Sequence, residues 1–206
     1  MRMSNGVAVE VNRDFADPLL RNSPLRERID YLLDNQDLAY NVLGNYSSKG
    51  GRVLVQSNCF GTALFVIGSQ ERFLEKFEPL MHNLAGFYVG SIIDERASFF
   101  PSKLDGPGAI EPSFMKRFCD EDFDKVAKLN QGDLVYLAGL YGGYHLQDPA
   151  HALVYLGEVE GTEVAFHQDG QGQEFSFTAL HEVIHRPYLQ SNLTKFYRFN
   201  PKRGKE

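Results

Sequence analysis

Apolar and polar positions along this chain fall into two textures. In the stretch NSPLRERIDYLLDN, Leu25, Ile29, Leu32 and Leu33 share one helical face. Ser23 stands as N-cap and Pro24 at the first helical position. DLAYNVLGNY predicts a second short helix ending at Gly44, and GGRVLVQS a short strand. From Cys59 the run CFGTALFVI is apolar at most positions and predicts a helix, although Gly61 and Thr62 weaken that reading. A further helix, SQERFLEKFEPLMHNL, follows from Ser69, with Gln70 and Glu71 near its start. The segment IIDERASFFPSKLDGPGAIEPS is rich in Pro and Gly and reads as loop, and SFMKRFCDEDFDKVAKL as an amphipathic helix. After it the texture changes. GDLVYLAGL, HALVYLGEV, TEVAFHQDG and EFSFTAL are short apolar or alternating runs broken by Gly and Asp, the signature of an antiparallel sheet. Helices first and strands second predict an α+β domain.

Composition narrows the function classes. The 206 residues are 43% hydrophobic, which suits one core and one domain. A net charge of −6, from 21 basic and 27 acidic residues without long runs of either sign, disfavours nucleic acid and acidic membrane surfaces as partners. The N-terminal stretch lacks the apolar core of a signal peptide, and no apolar run approaches the roughly 20 residues that span a bilayer. A cytoplasmic location is the expectation, with export by an unorthodox route left open. Two cysteines, Cys59 and Cys119, make neither a disulfide framework nor a cysteine-rich zinc site. No glycine-rich phosphate cradle is present, and no cofactor is expected.

Chemistry concentrates on Cys59. In SNCFGTALFVIG it stands at the polar edge of the apolar run, at the first turn of the predicted helix. There the unpaired N–H groups and the positive end of the helix dipole favour a thiolate. His151 begins the strand HALVYLGEV and His167 closes the next, TEVAFHQDG. Adjacent antiparallel strands joined by a short loop bring both to one end of the sheet. A thiol nucleophile, an imidazole to move its proton and a second polar group to orient that imidazole are what thiol catalysis requires. Singly, each residue also has a structural reading, as a small buried cysteine or a satisfied strand histidine.

The order of cysteine at a helix start, then GDLVYL, then HALVYLG, then a strand ending in histidine resembles the NlpC/P60 superfamily of papain-like cysteine hydrolases. The resemblance spans roughly Tyr46 to Pro201 (46–201), with 1–45 as a helical N-terminal extension of a single domain, 1–206. It implies a cysteine-bearing helix packed on an antiparallel sheet, with Cys59 as nucleophile, His151 as general base and His167 as the residue orienting it. Gly132 and Asp133 fall on the family's turn into the first sheet strand. Tyr46, ahead of Gly50 and Gly51, matches a tyrosine that helps bind the oxyanion. Gln56 is a rival donor for that role, and the Cys59 N–H a third. Asn58-Cys59-Phe60-Gly61 stands where many members read Asp-Cys-Ser-Gly. Phe60, after the nucleophile, lines the cleft in that fold, and argues against the family's common cell-wall peptide substrate. Asn58 and the loop histidine His145 are further substrate-cleft candidates. The Asn-Cys pair is also similar to the circularly permuted lecithin–retinol acyltransferase relatives, but there the histidine precedes the cysteine.

The implied activity is hydrolysis of an amide bond in a peptide or amide-containing small molecule, through an acyl-enzyme. Two other readings use the same site: a non-catalytic binding protein, or an acyltransferase. A fourth comes from His181 to His185, which reads HEVIH and satisfies the zinc-peptidase pattern H-E-x-x-H. Pro187 truncates the helix that would carry both ligands, and no downstream histidine offers a third. A short surface helix, FTALHEVIH, crossing between strands is the competing expectation. Cys119, followed by Asp120, Glu121 and Asp122, reads as structural, because neighbouring carboxylates oppose a thiolate.

Overall fold

The computed structural model describes residues 11–40, 42–46, 51–55, 57–77, 107, 110, 112–138, 149–170, 173–185 and 194–203. It is an α+β structure. Helices α1 (Arg13–Leu20), α2 (Arg26–Asp34) and α3 (Asp37–Tyr40) precede a hairpin of β1 (Val42–Tyr46) and β2 (Gly51–Val55). Helix α4 (Cys59–Ile67) and a helix over 70–77 (α5) follow. The remaining elements are α6 (Pro112–Asp122), β3 (Phe123–Lys125), β4 (Leu134–Ala138), β5 (Pro149–Val159), β6 (Thr162–Gln168), β7 (Phe175–Ala179), α7 (Leu180–Ile184) and β8 (Lys195–Phe199). Six strands form one open antiparallel sheet in the order β3-β8-β4-β5-β6-β7. Among the described residues no helix is long and apolar enough to cross a membrane.

Alternation along the strands assigns the two sheet faces. Tyr136 of β4, Ala152, Val154 and Leu156 of β5, and Val164 and Phe166 of β6 join a core with Ala16 and Leu20 of α1, Ile29 and Leu32 of α2, and Leu64 of α4. On the other face Val135, Leu153, Tyr155 and Ala165 pack with Leu180 and Val183 of α7. Helix α4 is buried nearly all round, so burial rather than amphipathic spacing holds it. Its ends are chemically marked. The Asn58 side chain accepts the Gly61 N–H at 3.0 Å, and Gly68, at φ +73°, closes the helix in the left-handed region. At the far end of β5, Gly157 (φ +130°) sits where an added Cβ would come within 2.8 Å of Leu19, so the missing side chain lets α1 dock.

Several elements differ from the pattern's prediction. The second short helix stops at Tyr40, and Val42–Tyr46 is a strand paired with Gly51–Val55, Val42 opposite Val55 and Leu43 opposite Leu54. Backbone pairing between the two strands outweighs a helix too short to stand alone. Helix α2 begins at Arg26 rather than Pro24, although Ser23 still serves its first turn by accepting the Leu25 N–H at 3.2 Å. The amphipathic helix ends at Asp122, whose buried carboxylate pairs with Arg72 and Lys76 of α5, and the next three residues pair with β8. In FTALHEVIH the first residues belong to β7, and only Leu180–Ile184 is helical. The greater part of the Pro- and Gly-rich middle segment, and the later part of the helix predicted from Ser69, lie outside the described residues.

Candidate active site at the start of helix α4

Cys59 is the first residue of α4, and the helix start is pinned from two sides. Asn58 caps the Gly61 N–H, accepts the Ile110 N–H at 3.2 Å and donates to the Ile110 carbonyl at 2.8 Å. From the sheet, the buried Gln168 at the end of β6 accepts from Ser57 Oγ and from Thr62 Oγ1, each at 3.0 Å. Its amide donates to the Gln173 carbonyl at 2.8 Å. One glutamine therefore ties the residues on either side of the cysteine to the strand that carries His167.

The histidines come together as their strands predict. His151 Nε2 and His167 Nδ1 are 2.8 Å apart, with the rings nearly perpendicular at 82°. Both are buried, at 5% and 3% exposure. Val154 of β5 pairs with Phe166 of β6, and carrying that register to the strand ends sets His151 opposite Asp169, with His167 on the diagonal. One ligand atom from each of His151, His167 and Asp169 lies within 4.8 Å of the other two. Asp169 is exposed, so the cluster has two buried nitrogens and a carboxylate at its rim. It was not among the residues the sequence singles out. Its signal was there, two positions beyond His167 on the same side of the strand, but Asp-Gly reads first as a turn.

Cys59 packs with Ala152 on the α4 side of the sheet, whereas His151, opposite Leu137, and His167, two residues beyond Ala165, alternate onto the α7 side. The backbone N–H groups of Ala152, Phe60 and Cys59 favour the charged form of the sulfur. Burial nevertheless dominates and pushes the Cys59 thiol from its ordinary 9.0 up to about 12, with Asp169 adding a smaller push in the same direction. The thiolate expected from the helix start is thus not the resting form, because three N–H groups do not replace the water that packing removes. Cys119 is raised still further, again by burial first and by Asp120 second, in line with a structural role.

The other candidates separate. Phe60 is buried in the main core. Asn58 caps α4 and donates to the Ile110 carbonyl. Tyr46 lies on β1, and its side chain is outside the described residues, as are Gln56 and His145 altogether. Asp133 is structural: buried, it accepts two hydrogen bonds from Arg198 at 2.8 Å and one from the Asn130 N–H at 2.7 Å. The HEVIH residues sit on α7, with His185 as its C-cap, and none belongs to the histidine–carboxylate cluster. Comparison with protein-family models, with curated proteins and with solved structures found no match to this chain.

The raised thiols fix the alkaline behaviour. Below about pH 8 the folded and unfolded chains both keep the Cys59 proton, and this group makes stability no different. Above about pH 9 the unfolded chain releases a proton that the folded chain retains, so stability falls as pH rises toward 12, by at most about 1.4 kcal/mol per pH unit. Cys119 acts in the same direction. Urea unfolding midpoints should therefore drop between about pH 8 and about pH 10. In the same range native Cys59 should alkylate with iodoacetamide more slowly than the unfolded chain does; faster native alkylation would contradict the burial argument.

Proposed function

We propose that this chain is a cysteine hydrolase of papain-like, NlpC/P60-like architecture that cleaves an amide bond in a peptide or amide-containing small molecule. The observation that supports the reading is the packing of α4, which opens on Cys59, against β5, whose near end carries His151 of the buried His151–His167 pair. Cys59 packs in one core with Ala152, and the residue before Ala152, His151, lies 2.8 Å from His167. In this reading the acid–base work falls to Nδ1 of His151, which must turn toward the thiol, because its place opposite Leu137 sets it on the α7 face of the sheet.

Because the resting thiol is neutral, His151 takes its proton as the sulfur attacks, rather than beforehand. The S–C bond forms while the carbonyl π pair moves to oxygen. The backbone N–H groups that favour the sulfur's charged form, that of Cys59 among them, are candidate donors for that oxyanion, with Tyr46 and Gln56 as the further candidates. Collapse breaks the C–N bond, and His151 returns the proton to the leaving amine. Water then attacks the thioester, gives its proton to His151, and releases the acid and the thiol.

The buried thiol favours one other reading, a binding protein that keeps the site without turnover. Transfer of the acyl group to an acceptor other than water would make the same site an acyltransferase. Two thiols without a disulfide suit a reducing compartment such as the cytoplasm.

The test is hydrolysis of a library of peptidyl aminocoumarins. Release is expected to vanish in Cys59→Ala and to persist in EDTA. Release that survives Cys59→Ala and vanishes in EDTA would overturn the thiol reading in favour of a metal hydrolase.

A further inference from the structure

We propose that His151, His167 and Asp169 form a binding site for a divalent transition metal, with zinc the best fit, that shares its imidazoles with the acid–base pair. The site stands on geometry alone. Its consequence, that metal occupancy and thiol chemistry exclude one another, rests on the hydrolase reading.

Two neutral imidazole nitrogens and one carboxylate are a donor set that suits zinc, and three protein ligands with an open fourth position form a common zinc arrangement. The three donor atoms already lie within 4.8 Å of one another. Both nitrogen donors are fixed on neighbouring strands of one sheet, so little ordering is left for the ion to impose. Zinc holds its ligands at about 2.0–2.1 Å, which at a tetrahedral angle sets two nitrogens about 3.3 Å apart. The histidine pair, at 2.8 Å, needs to open by only about half an ångström, with its shared proton leaving to solvent. Asp169 supplies the entry path because it is exposed while both histidines are buried.

The consequence follows from which atoms the ion takes. His151 Nε2 and His167 Nδ1 would be bound to metal, so His167 could no longer orient His151 through their hydrogen bond. The zinc-peptidase pattern of the sequence, His181 to His185, is thereby distinguished from the cluster that has three donors together.

The experiment is titration calorimetry of the full chain with zinc chloride, paired with acylation of Cys59 by an activated thioester read by mass spectrometry. One equivalent of zinc is expected to bind. Asp169→Asn, a change at an exposed position that spares the core, should weaken binding by about 10- to 100-fold. Cys59→Ser and His181→Ala should leave binding unchanged. Saturating zinc should suppress acylation of the native chain, and EDTA should restore it. No stoichiometric binding, or binding indifferent to Asp169→Asn and lost in His181→Ala, would overturn the site. Acylation that continues at full occupancy would overturn the exclusion. Zinc binding as expected in a chain whose Cys59 never acylates would support the site and count against the hydrolase reading.

Discussion

Alanine at His151 is expected to slow acylation of Cys59 by an activated thioester by about 10²- to 10⁴-fold near neutral pH. The size follows from the state of the thiol. Burial holds Cys59 protonated at neutral pH, so attack without a base must begin from a very small thiolate fraction. His151 removes that restriction only if its imidazole accepts the proton during attack. The fold should survive the change, since His151 stands at the end of β5 and the strand's core residues, from Ala152 to Leu156, are untouched. Raising the pH should recover part of the lost rate in His151→Ala, as hydroxide replaces the missing base. A purely structural histidine would give no such recovery. Stopped-flow acylation across pH, with circular dichroism to confirm the fold, decides between the two.

Leucine at Gln168 is expected to cost about 2–4 kcal/mol of stability and to impair acylation as well. Gln168 is fully buried, and its carbonyl serves two hydroxyls that are themselves buried, Ser57 and Thr62. Removing it strands Thr62, leaves Ser57 only its 3.4 Å contact to the Leu38 carbonyl, and leaves the Gln173 carbonyl without its 2.8 Å donor. Leucine fills similar volume, so the loss comes from unmade hydrogen bonds rather than a cavity. Thr62→Val should cost less, because it removes one donor together with its demand. The double variant should therefore be less destabilised than the sum of the two. Strict additivity in urea unfolding would show that Gln168 does not act through these hydroxyls. The functional effect follows from position, as the residues on either side of Cys59 lose their anchor to β6.

The parts of the structure legible in the sequence are those whose chemistry is local. Asn58 and Gly68 mark the ends of α4 because a side-chain cap and a left-handed turn are properties of single residues. Strands β4 to β7 are legible because their apolar runs are long and bounded by Gly and Asp. The meeting of His151 and His167 follows from one short connection between neighbouring strands. Strand β8 is obscured because only Tyr197 of its five residues is buried, so alternation barely registers. Helix α1 carries Pro18 inside it, which reads as a breaker, and Val42–Tyr46 is a strand only because Gly51–Val55 lies beside it. The same limit applies at the site. The helix start argues for a thiolate, but the proton balance of Cys59 is set by packing from β5 and the core, which no local pattern encodes. Phe60 looks like a cleft residue by its place beside the nucleophile, yet helical geometry turns it into the core. Gln168 is unremarked in the sequence for the same reason: its partners lie far away along the chain.

The central claim, that Cys59 is a nucleophile served by His151, is tested most directly by one acylation experiment. The native chain is mixed with an activated acetyl thioester at neutral pH, quenched in acid, and mapped by mass spectrometry. One acetyl group on Cys59, none on Cys119, and a strongly reduced yield in His151→Ala is the result the account predicts. A native chain that leaves Cys59 unmodified, or modifies it equally well without His151, would contradict it.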